Sequence, residues 1–217
     1  MDELLLTIGN RNYSSWSLRP WILLKHLGLP FAERQVPLDT PEFANTIGAM
    51  SPTRRVPVLD HGPLRIWDSL SICEYVCELA GRGWPAGRAM RAVARSVCAE
   101  MHSGFSALRS QWPMIARAEG RRTAPNAERA ADIARIEEIW NDCRSRFGAG
   151  GPWLFGEYSV ADAMYAPVVL RFRTFGPELQ PASKAYATTA LADTHLRSWL
   201  AAAAAESWTI EASEIGR

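Results

Sequence analysis

Hydrophobic residues in the first part of the chain fall in short runs that are separated by turn residues. Residues 3–8 are mostly apolar and are followed by Gly-Asn, which predicts a buried strand closed by a turn. A periodic apolar stretch then ends at Gly28, and the serines before it are helix-start residues, so we predict a helix that begins near residues 15–17. Residues 31–38 alternate between apolar and polar positions and predict a second strand.

A hairpin and a further helix are predicted next. Residues 55–62 and 64–67 form two strand-like runs around a glycine turn, and Asp68-Ser69 opens a helix. The apolar side of that helix is formed by Leu70, Ile72, Cys73, Val76, Cys77 and Leu79. Between the second strand and the hairpin we predict a loop that can hold a short helix after Pro41. The order of the other elements over residues 1–81 is βαβ followed by ββα. This order predicts a thioredoxin-like α/β domain.

The sequence changes in character after residues 82–87, which we interpret as a linker. Strand-like runs disappear, and alanine, arginine and glutamate become frequent. Four helices are predicted in this half. The first covers residues 88–118, with a bend near Gly104 or an end around Pro113, and the second covers residues 127–147. The third opens at residues 159–162, and the last covers residues 191–206. Residues 152–156 are predicted to form a loop. Residues 88–217 are therefore predicted to form an all-α helical-bundle domain.

Composition and charge are those of an ordinary globular protein. The chain has 217 residues, of which 47% are hydrophobic and 22% are charged, enough for one large core or two small ones. A formal net charge of +1 gives no electrostatic reason to expect nucleic acid or an anionic membrane as a partner. No apolar run approaches the roughly 18 residues that would span a bilayer. The acidic start, Met1-Asp2-Glu3, is unlike a signal peptide, so we expect a cytoplasmic protein.

The cysteines and histidines indicate no metal site. The four cysteines form no Cys-x-x-Cys pair and no cluster with histidine; they are Cys73, Cys77, Cys98 and Cys143. In a reducing compartment we expect them to be small buried hydrophobic residues. The four histidines lie far apart in the sequence, and there is no Gly-x-Ser-x-Gly elbow and no glycine-rich phosphate loop. Hydrolase triads and nucleotide-binding loops are therefore not indicated.

Residues 14–19, Ser-Ser-Trp-Ser-Leu-Arg, follow the first predicted strand and open the first helix. A free thiol has a pKa near ~8.5, and a hydroxyl donor together with the positive end of a helix stabilises the nucleophilic anion. The segment resembles the SSCSxR-type motif of zeta-class glutathione transferases, in which a serine hydroxyl donates to the sulfur of glutathione. The resemblance implies that Ser14 contacts the thiol, with Ser15 as the alternative. Trp16 replaces the motif's cysteine, and Arg19 matches its arginine, for which we expect a structural role.

Three further segments resemble the same family. Val56-Pro57 precedes a predicted strand, where the family has a cis-proline, so we predict a cis bond. The resemblance implies that the Val56 backbone pairs with the cysteinyl unit of glutathione. Asp68-Ser69 matches an acid–serine pair that binds the γ-glutamyl ammonium and carboxylate groups. Residues 159–162, Ser-Val-Ala-Asp, match a capping box with a role in folding. The first two pairs also have structural interpretations, as a turn proline and a helix cap.

The site of the second substrate is less well determined by the sequence. By resemblance, it lies between the start of the first helix and the long helix after the linker. The candidates there are Trp16, His102, Phe105, Arg109 and Trp112. Aromatic residues at helical spacing are also frequent in protein cores, so the pattern leaves both roles open.

The resemblance implies a glutathione transferase that uses glutathione as co-substrate on a small hydrophobic or electrophilic molecule, and that forms a homodimer. A glutathione-dependent cis–trans isomerase of the maleylacetoacetate type is an alternative, although its substrate-binding arginine aligns with Thr174 here. A non-catalytic glutathione-transferase-like binding protein is a second alternative. Thiol–disulfide chemistry is disfavoured, because the start of the first helix has no cysteine.

Overall fold

A computed structural model describes residues 3–217 of the chain. Met1 and Asp2, part of the acidic start considered above, lie outside the described residues. The strands are β1 (Leu4–Ile8), β2 (Phe31–Gln35), β3 (Val58–His61) and β4 (Leu64–Trp67). The helices are α1 (Ser15–Leu27), α2 (Pro41–Met50), α3 (Ser69–Ala80), α4 (Arg88–Ser103), α5 (Ser106–Gln111), α6 (Ala127–Phe147), α7 (Val160–Phe175), α8 (Pro181–Ala192) and α9 (Thr194–Ala204). None of the helices in residues 3–217 combines the length and the apolar character needed to cross a bilayer.

The four strands form a mixed sheet in the order β2-β1-β3-β4. β1 and β2 are parallel, with Leu6 opposite Glu33, and α1 is the crossover that a parallel pair requires. β3 runs antiparallel to β1 and to β4, with Leu6 also opposite Leu59. α1 and α3 pack against each other, and both contact the sheet. The predicted element order and the thioredoxin-like class are confirmed.

Helix α7 is the centre of the helical half. Nearly all of its residues are buried, because it packs against α1, α4 and α8. The rings of Tyr165, Phe172 and Tyr186 meet Trp140 edge to face, with centroid distances of 5.9, 5.5 and 4.8 Å. The contact of α1 with α7 joins the two halves, so the start of α1 lies where the sheet half meets the helical half.

The predicted capping box at the start of α7 is confirmed. Asp162 is 2% exposed, and its Oδ2 accepts from the Ser159 N–H at 2.9 Å and from the Ser159 hydroxyl at 3.1 Å. Its Oδ1 accepts from the Leu154 N–H at 3.0 Å. One carboxylate therefore ties the loop before α7 to the helix through three donors.

The long helix predicted over residues 88–118 is broken near Gly104. Gly104 N–H donates to the Glu100 carbonyl at 2.8 Å, and a Cβ on Gly104 would lie 2.7 Å from that oxygen. Phe105 then adopts a left-handed conformation with φ of 57° before α5 begins. Residues 112–126 are not helical. The predicted bend at Gly104 and the predicted end around Pro113 are both confirmed, since α5 ends at Gln111, whereas the outer bound at residue 118 is wrong.

The C-terminal helix predicted over residues 191–206 is the second of two helices. α8 was not predicted, because its inward positions are mostly small residues beside Tyr186 and give little apolar contrast. Asp193 separates the pair by capping α9, since its carboxylate accepts from the Leu196 N–H at 2.9 Å.

Two strands are shorter than predicted. β2 ends at Gln35 instead of residue 38, because Pro37 has no N–H to extend the ladder. β3 begins at Val58, three residues after the predicted start, because the residues before it line a cavity instead. The hairpin to β4 has the predicted position.

The four cysteines are buried free thiols, as predicted. Burial raises the pKa of Cys77 and Cys143 to about 12, and it raises the pKa of Cys73 and Cys98 well above the ordinary thiol value. They are therefore neutral at physiological pH and behave as small core residues.

Candidate functional site

A cavity of about 480 Å³ opens between the sheet and the helical half. The elements around it are the start of α1, the loop before β3, the junction of β4 with α3, and the end of α4. Its walls are formed by Trp16, Thr53, Arg55, Val56, Pro57, Trp67, Asp68, Ser69 and His102. The structure thus brings together six of the residues singled out from the sequence, five of which come from three separate motifs, with His102 from α4 as the sixth.

The Val56–Pro57 peptide bond is cis, as predicted. Pro57 is buried, and β3 starts at the next residue, so Val56 is held directly before that strand and in the cavity wall. A backbone segment in this position is open to strand-like pairing with an extended ligand.

Asp68 and Ser69 form the start of α3 and face the same cavity. Asp68 Oδ1 caps the helix by accepting from the backbone of Leu70 at 2.9 Å and of Ser71 at 3.2 Å. Its Oδ2 lies 3.1 Å from His102 Nε2 on α4. Ser69 is 2% exposed, and its hydroxyl has no hydrogen-bond partner among residues 3–217. A buried hydroxyl without a partner is costly, so a ligand group at this point would satisfy it.

Ser14 precedes α1 but does not cap it, because its side chain accepts no helix N–H. Its Oγ lies 2.7 Å from Ser17 Oγ, which in turn accepts from the Gly9 N–H at 3.1 Å. Ser17 is fully buried, and Ser14 Oγ is its available acceptor, so we assign the donation from Ser17 to Ser14. The Ser14 proton is then free to donate outward. The purely structural interpretation of Ser14 as a helix cap is not supported by this geometry.

Ser15 is the first residue of α1 and is 7% exposed. Its Oγ lies 3.4 Å from Nη2 of Arg171 on α7, a long hydrogen bond that the guanidinium must donate. The Ser15 hydroxyl proton therefore also remains available. Neither Ser14 nor Ser15 lines the cavity itself, but their neighbour Trp16 does.

Trp16 lies between the cavity and the side chains of Arg19 and Arg109. Its ring centroid is 4.1 Å from the guanidinium carbon of Arg19 and 5.3 Å from that of Arg109, and its ring meets that of His102 edge-on at 5.3 Å. Arg109 also donates to the His102 carbonyl at 3.0 Å. Trp16 therefore lines the cavity, and Arg109 lies next to Trp16 and His102 without lining it.

Two residues predicted to contact the second substrate lie elsewhere. Phe105 is 7% exposed and forms the left-handed residue between α4 and α5. Trp112 is 7% exposed, stacks on Phe175 at 4.9 Å and donates its indole N–H to Thr123 at 2.8 Å. Neither residue lines the cavity, because both pack in the hydrophobic core of the helical half. Neither is therefore placed to contact a substrate in this cavity.

Thr53, Arg55 and Trp67 line the cavity but were not predicted. Thr53 is an exposed loop residue without a periodic signal in the sequence, and Arg55, predicted as the first residue of a strand, lies exposed in the loop before β3. Trp67 is 44% exposed at the end of β4, directly before Asp68. An exposed tryptophan adjoining the acid–serine pair was the one signal that could have identified it.

The fold and this cavity define a protein with an N-terminal thioredoxin-like domain and a C-terminal all-helical domain. Residues 13–79 match the family model for the glutathione S-transferase N-terminal domain, and residues 126–202 match that for the glutathione S-transferase C-terminal domain. The chain belongs to the glutathione S-transferase family. A search of curated proteins found no match to the sequence.

Solved structures with the same fold come from several classes of the family. The glutathione transferase homolog from Burkholderia gl BGR1, with bound glutathione, is 22% identical with a TM-score of 0.72, over 94% of this chain and 100% of that chain. Maleyl pyruvate isomerase, a bacterial zeta-class glutathione S-transferase, is 21% identical with a TM-score of 0.72, over 95% and 100%. The tau-class enzyme of mango, Mangifera indica, is 19% identical with a TM-score of 0.69, over 91% and 92%. These similarities establish the shared fold.

Proposed function

We propose that the protein is a glutathione S-transferase, in which residues 1–81 bind glutathione and residues 88–217, after the linker 82–87, complete the pocket for a small electrophile. The observation that carries this proposal is the convergence of Val56–Pro57, Asp68 and Ser69 on one cavity beside the start of α1. The similar structure from Burkholderia holds glutathione, which supports the same ligand here.

Asp68 and Ser69 are suited to the γ-glutamyl end of glutathione. The Ser69 hydroxyl is buried and has no partner in the described residues, and it can donate to the α-carboxylate. The Asp68 side chain is 40% exposed at the cavity, and its carboxylate can pair with the adjacent ammonium group. Charge-assisted hydrogen bonds of this kind contribute about 1.5–3 kcal/mol each.

The middle of the tripeptide would lie along the segment that precedes β3. The backbone of Val56 pairs with the cysteinyl unit, which directs the sulfur towards the start of α1. There the free protons of Ser14 and Ser15 and the positive helix end favour the thiolate. The thiolate then attacks the electrophile, which we place against Trp16 and Arg109.

Calorimetry should detect glutathione binding well below about 10 mM, a dissociation constant that corresponds to roughly −2.7 kcal/mol. We expect Ser69→Ala and Asp68→Asn each to weaken binding about ten-fold, because each removes one charge-assisted contact. Ser71→Ala is the matched control, since Ser71 is exposed on the same turn of α3. Absence of heat with the wild-type protein would overturn the proposed function.

The side chain at position 174 favours conjugation over isomerisation, because the substrate-binding arginine of the isomerase aligns with Thr174. Thr174 is fully buried, and its Oγ1 lies 3.0–3.1 Å from the carbonyls of Ile115, Ala118 and Leu170. It is therefore tied to the backbone and is not available to a substrate. Model electrophiles and maleylacetone, assayed with and without glutathione, separate the two reactions and distinguish both from binding without turnover.

We also propose a homodimer, from the family resemblance and from an exposed apolar side chain on the outer strand. Leu64 on β4 is 47% exposed and does not line the cavity. Burial of this side chain between two copies would stabilise a symmetric pair. Sedimentation at twice the mass of one protomer is the expected result, and Leu64→Glu should shift it towards one protomer. Wild-type sedimentation at a single protomer's mass would remove the proposal.

A further inference from the structure

Three arginines near the start of α1 have no acidic partner. Arg19 lies on α1, Arg109 on α5 and Arg171 on α7. Among residues 3–217, no carboxylate oxygen lies within 4.0 Å of any of the three guanidinium groups. Charges in a protein interior are normally paired, because an unpaired buried charge costs several kcal/mol. The three guanidinium groups therefore lack the acidic partners that charges in a protein interior normally have.

Arg19 is the most isolated of the three. It is fully buried, and none of its three side-chain nitrogens has a hydrogen-bond partner in the described part of the chain. Its guanidinium lies against the ring of Trp16, at 4.1 Å from the centroid. A purely structural arginine would be expected to bind backbone carbonyls or carboxylates. The structural role that the sequence suggested for Arg19 is thus not accompanied by structural bonds.

Arg171 connects the group to the proposed thiol site. It is 4% exposed, and its Nε donates to the Trp112 carbonyl at 2.8 Å. A second nitrogen lies 3.3 Å from the Pro167 carbonyl. The third lies 3.4 Å from Ser15 Oγ. Two bonds fix the orientation of the guanidinium, and the third occupies a lone pair of Ser15, which leaves the Ser15 proton to point away from Arg171.

The three guanidinium groups are close enough to act on one another. Burial, followed by the charge of Arg109, lowers the pKa of Arg19 to about 10. Burial, followed by the charges of Arg19 and Arg109, lowers the pKa of Arg171 to about 9. Arg109 itself has a lowered pKa through burial. All three are still charged at neutral pH, so the group carries a net positive potential.

The other ionisable groups around the cluster do not cancel its charge. Cys73 on α3 and Cys98 on α4 face Arg19, but burial raises the pKa of both thiols, so they stay neutral. Asp68 attracts Arg19 weakly and is already engaged by the start of α3 and by His102. Asp132 on α6 acts on Arg109 and accepts from the Leu108 N–H. An additional anion is the missing complement.

We propose that this arginine cluster, Arg19, Arg109 and Arg171, lowers the pKa of the thiol of bound glutathione, and that Arg171 is a positioning residue that aims the Ser15 hydroxyl at the sulfur. The inference rests on the proposed function. The S–H bond breaks, its proton passes to bulk water, and the electron pair stays on the sulfur. The cluster then attracts the thiolate through the start of α1, which has the same sign of partial charge.

The test is the pH titration of the thiolate of bound glutathione, followed by its ultraviolet absorbance. In the wild-type complex we expect a pKa at least one unit below the free-thiol value of about 8.5. In Arg171→Met we expect that pKa to rise by about one unit. The rate of conjugation at about pH 6.5 should then fall about ten-fold and recover as the pH is raised. Arg171→Lys should retain most of the lowering, because it keeps the charge.

Arg173→Met is the matched control for charge and helix position. Arg173 lies two residues further along α7, pairs with Glu119 and donates to the Ala116 carbonyl at 2.8 Å, away from the cluster. It should leave the thiol pKa unchanged. If Arg171→Met does not fold, the half-buried Arg109 replaces it, and Arg109→Met should raise the thiol pKa by about half a unit.

The proposed function and the inference about the arginine cluster are overturned by different results. If calorimetry detects no glutathione binding to the wild-type protein, the proposed function and this inference are both overturned. If glutathione binds and its thiol pKa is the same in the wild-type protein and in the arginine variants, the inference alone is overturned. If such a variant has also lost activity towards electrophiles that carry a carboxylate, the cluster acts on the second substrate and not on the thiol, and the inference is still overturned.

Discussion

Replacement of Ser14 by alanine should lower the rate of glutathione conjugation ten-fold or more, while glutathione binding changes less than about two-fold. The hydroxyl acts on the sulfur, whereas most of the binding contacts lie at Val56, Asp68 and Ser69. A hydrogen bond to a charged group is worth about 1.5–3 kcal/mol, which corresponds to a factor of ten or more in the population of thiolate or in the rate. Conjugation rates at saturating glutathione, with calorimetry beside them, make the measurement.

The loss of conjugation activity in Ser14→Ala should not come from unfolding of the protein. Ser14 makes no capping hydrogen bond to α1, but its removal leaves the buried Ser17 hydroxyl without its acceptor, so we expect the free energy of unfolding to fall by about 1–3 kcal/mol, which leaves the protein folded. Ser17→Ala is the informative comparison, because it removes both the acceptor of the Gly9 N–H and the donor to Ser14. We expect Ser14→Ala to lower activity by the larger factor, because it removes the hydroxyl that acts on the sulfur, whereas Ser17→Ala changes only its orientation.

Ser15→Ala decides which hydroxyl serves the sulfur. If Ser14 is the main donor, Ser15→Ala should have a smaller effect on the rate than Ser14→Ala. An unchanged rate in Ser14→Ala, with a large loss in Ser15→Ala, would transfer the role to the serine that Arg171 contacts. Unchanged rates in both variants would contradict stabilisation of the thiolate by a hydroxyl.

Asp162→Asn should destabilise the protein by roughly 2–4 kcal/mol. The buried carboxylate accepts three hydrogen bonds, from the backbone of Leu154 and from the backbone and hydroxyl of Ser159. An asparagine keeps one acceptor oxygen and points an N–H₂ group at donors, so at least one buried donor loses its partner. The free energy of unfolding from urea titration, at about pH 7, measures the loss.

The same pair of proteins should differ in pH dependence. Burial raises the pKa of Asp162 from 3.8 to about 6, against the opposing effect of its hydrogen bonds. The folded carboxyl therefore holds a proton more tightly than the unfolded one, and this contribution to stability is present in full below about pH 3.8 and is lost as the pH rises through about 6. The stability advantage of the wild-type protein over Asp162→Asn should grow by roughly 1 kcal/mol from about pH 7 to about pH 5.

Ser159→Ala is the control for this prediction. It removes one of the donors to Asp162 and leaves the carboxyl group in place, so it should cost about 1 kcal/mol and keep the pH dependence. A wild-type stability that follows that of Asp162→Asn in parallel across this pH range would show that the buried carboxyl does not titrate there.

The elements that the sequence predicted well are those with strong local signals. The helix at residues 127–147 has an amphipathic pattern that ends at a glycine, and α6 has those bounds. The strand, turn and cap signals around residues 55–69 likewise placed β3, β4 and the start of α3 close to their observed positions. α8 was missed because small residues provide its packing, and packing by small residues leaves no hydrophobic stripe in the sequence.

The sequence by itself determined the thioredoxin-like and helical halves and six residues of the cavity, because caps, turns and apolar periodicity act over a few residues. Only the tertiary structure decided which side chains face one another. It placed Phe105 and Trp112 in packing and brought Arg171 to Ser15 across 156 residues. It also left Arg19 without a partner. Such contacts depend on how α1, α5 and α7 pack together, and that packing is set by the whole core at once.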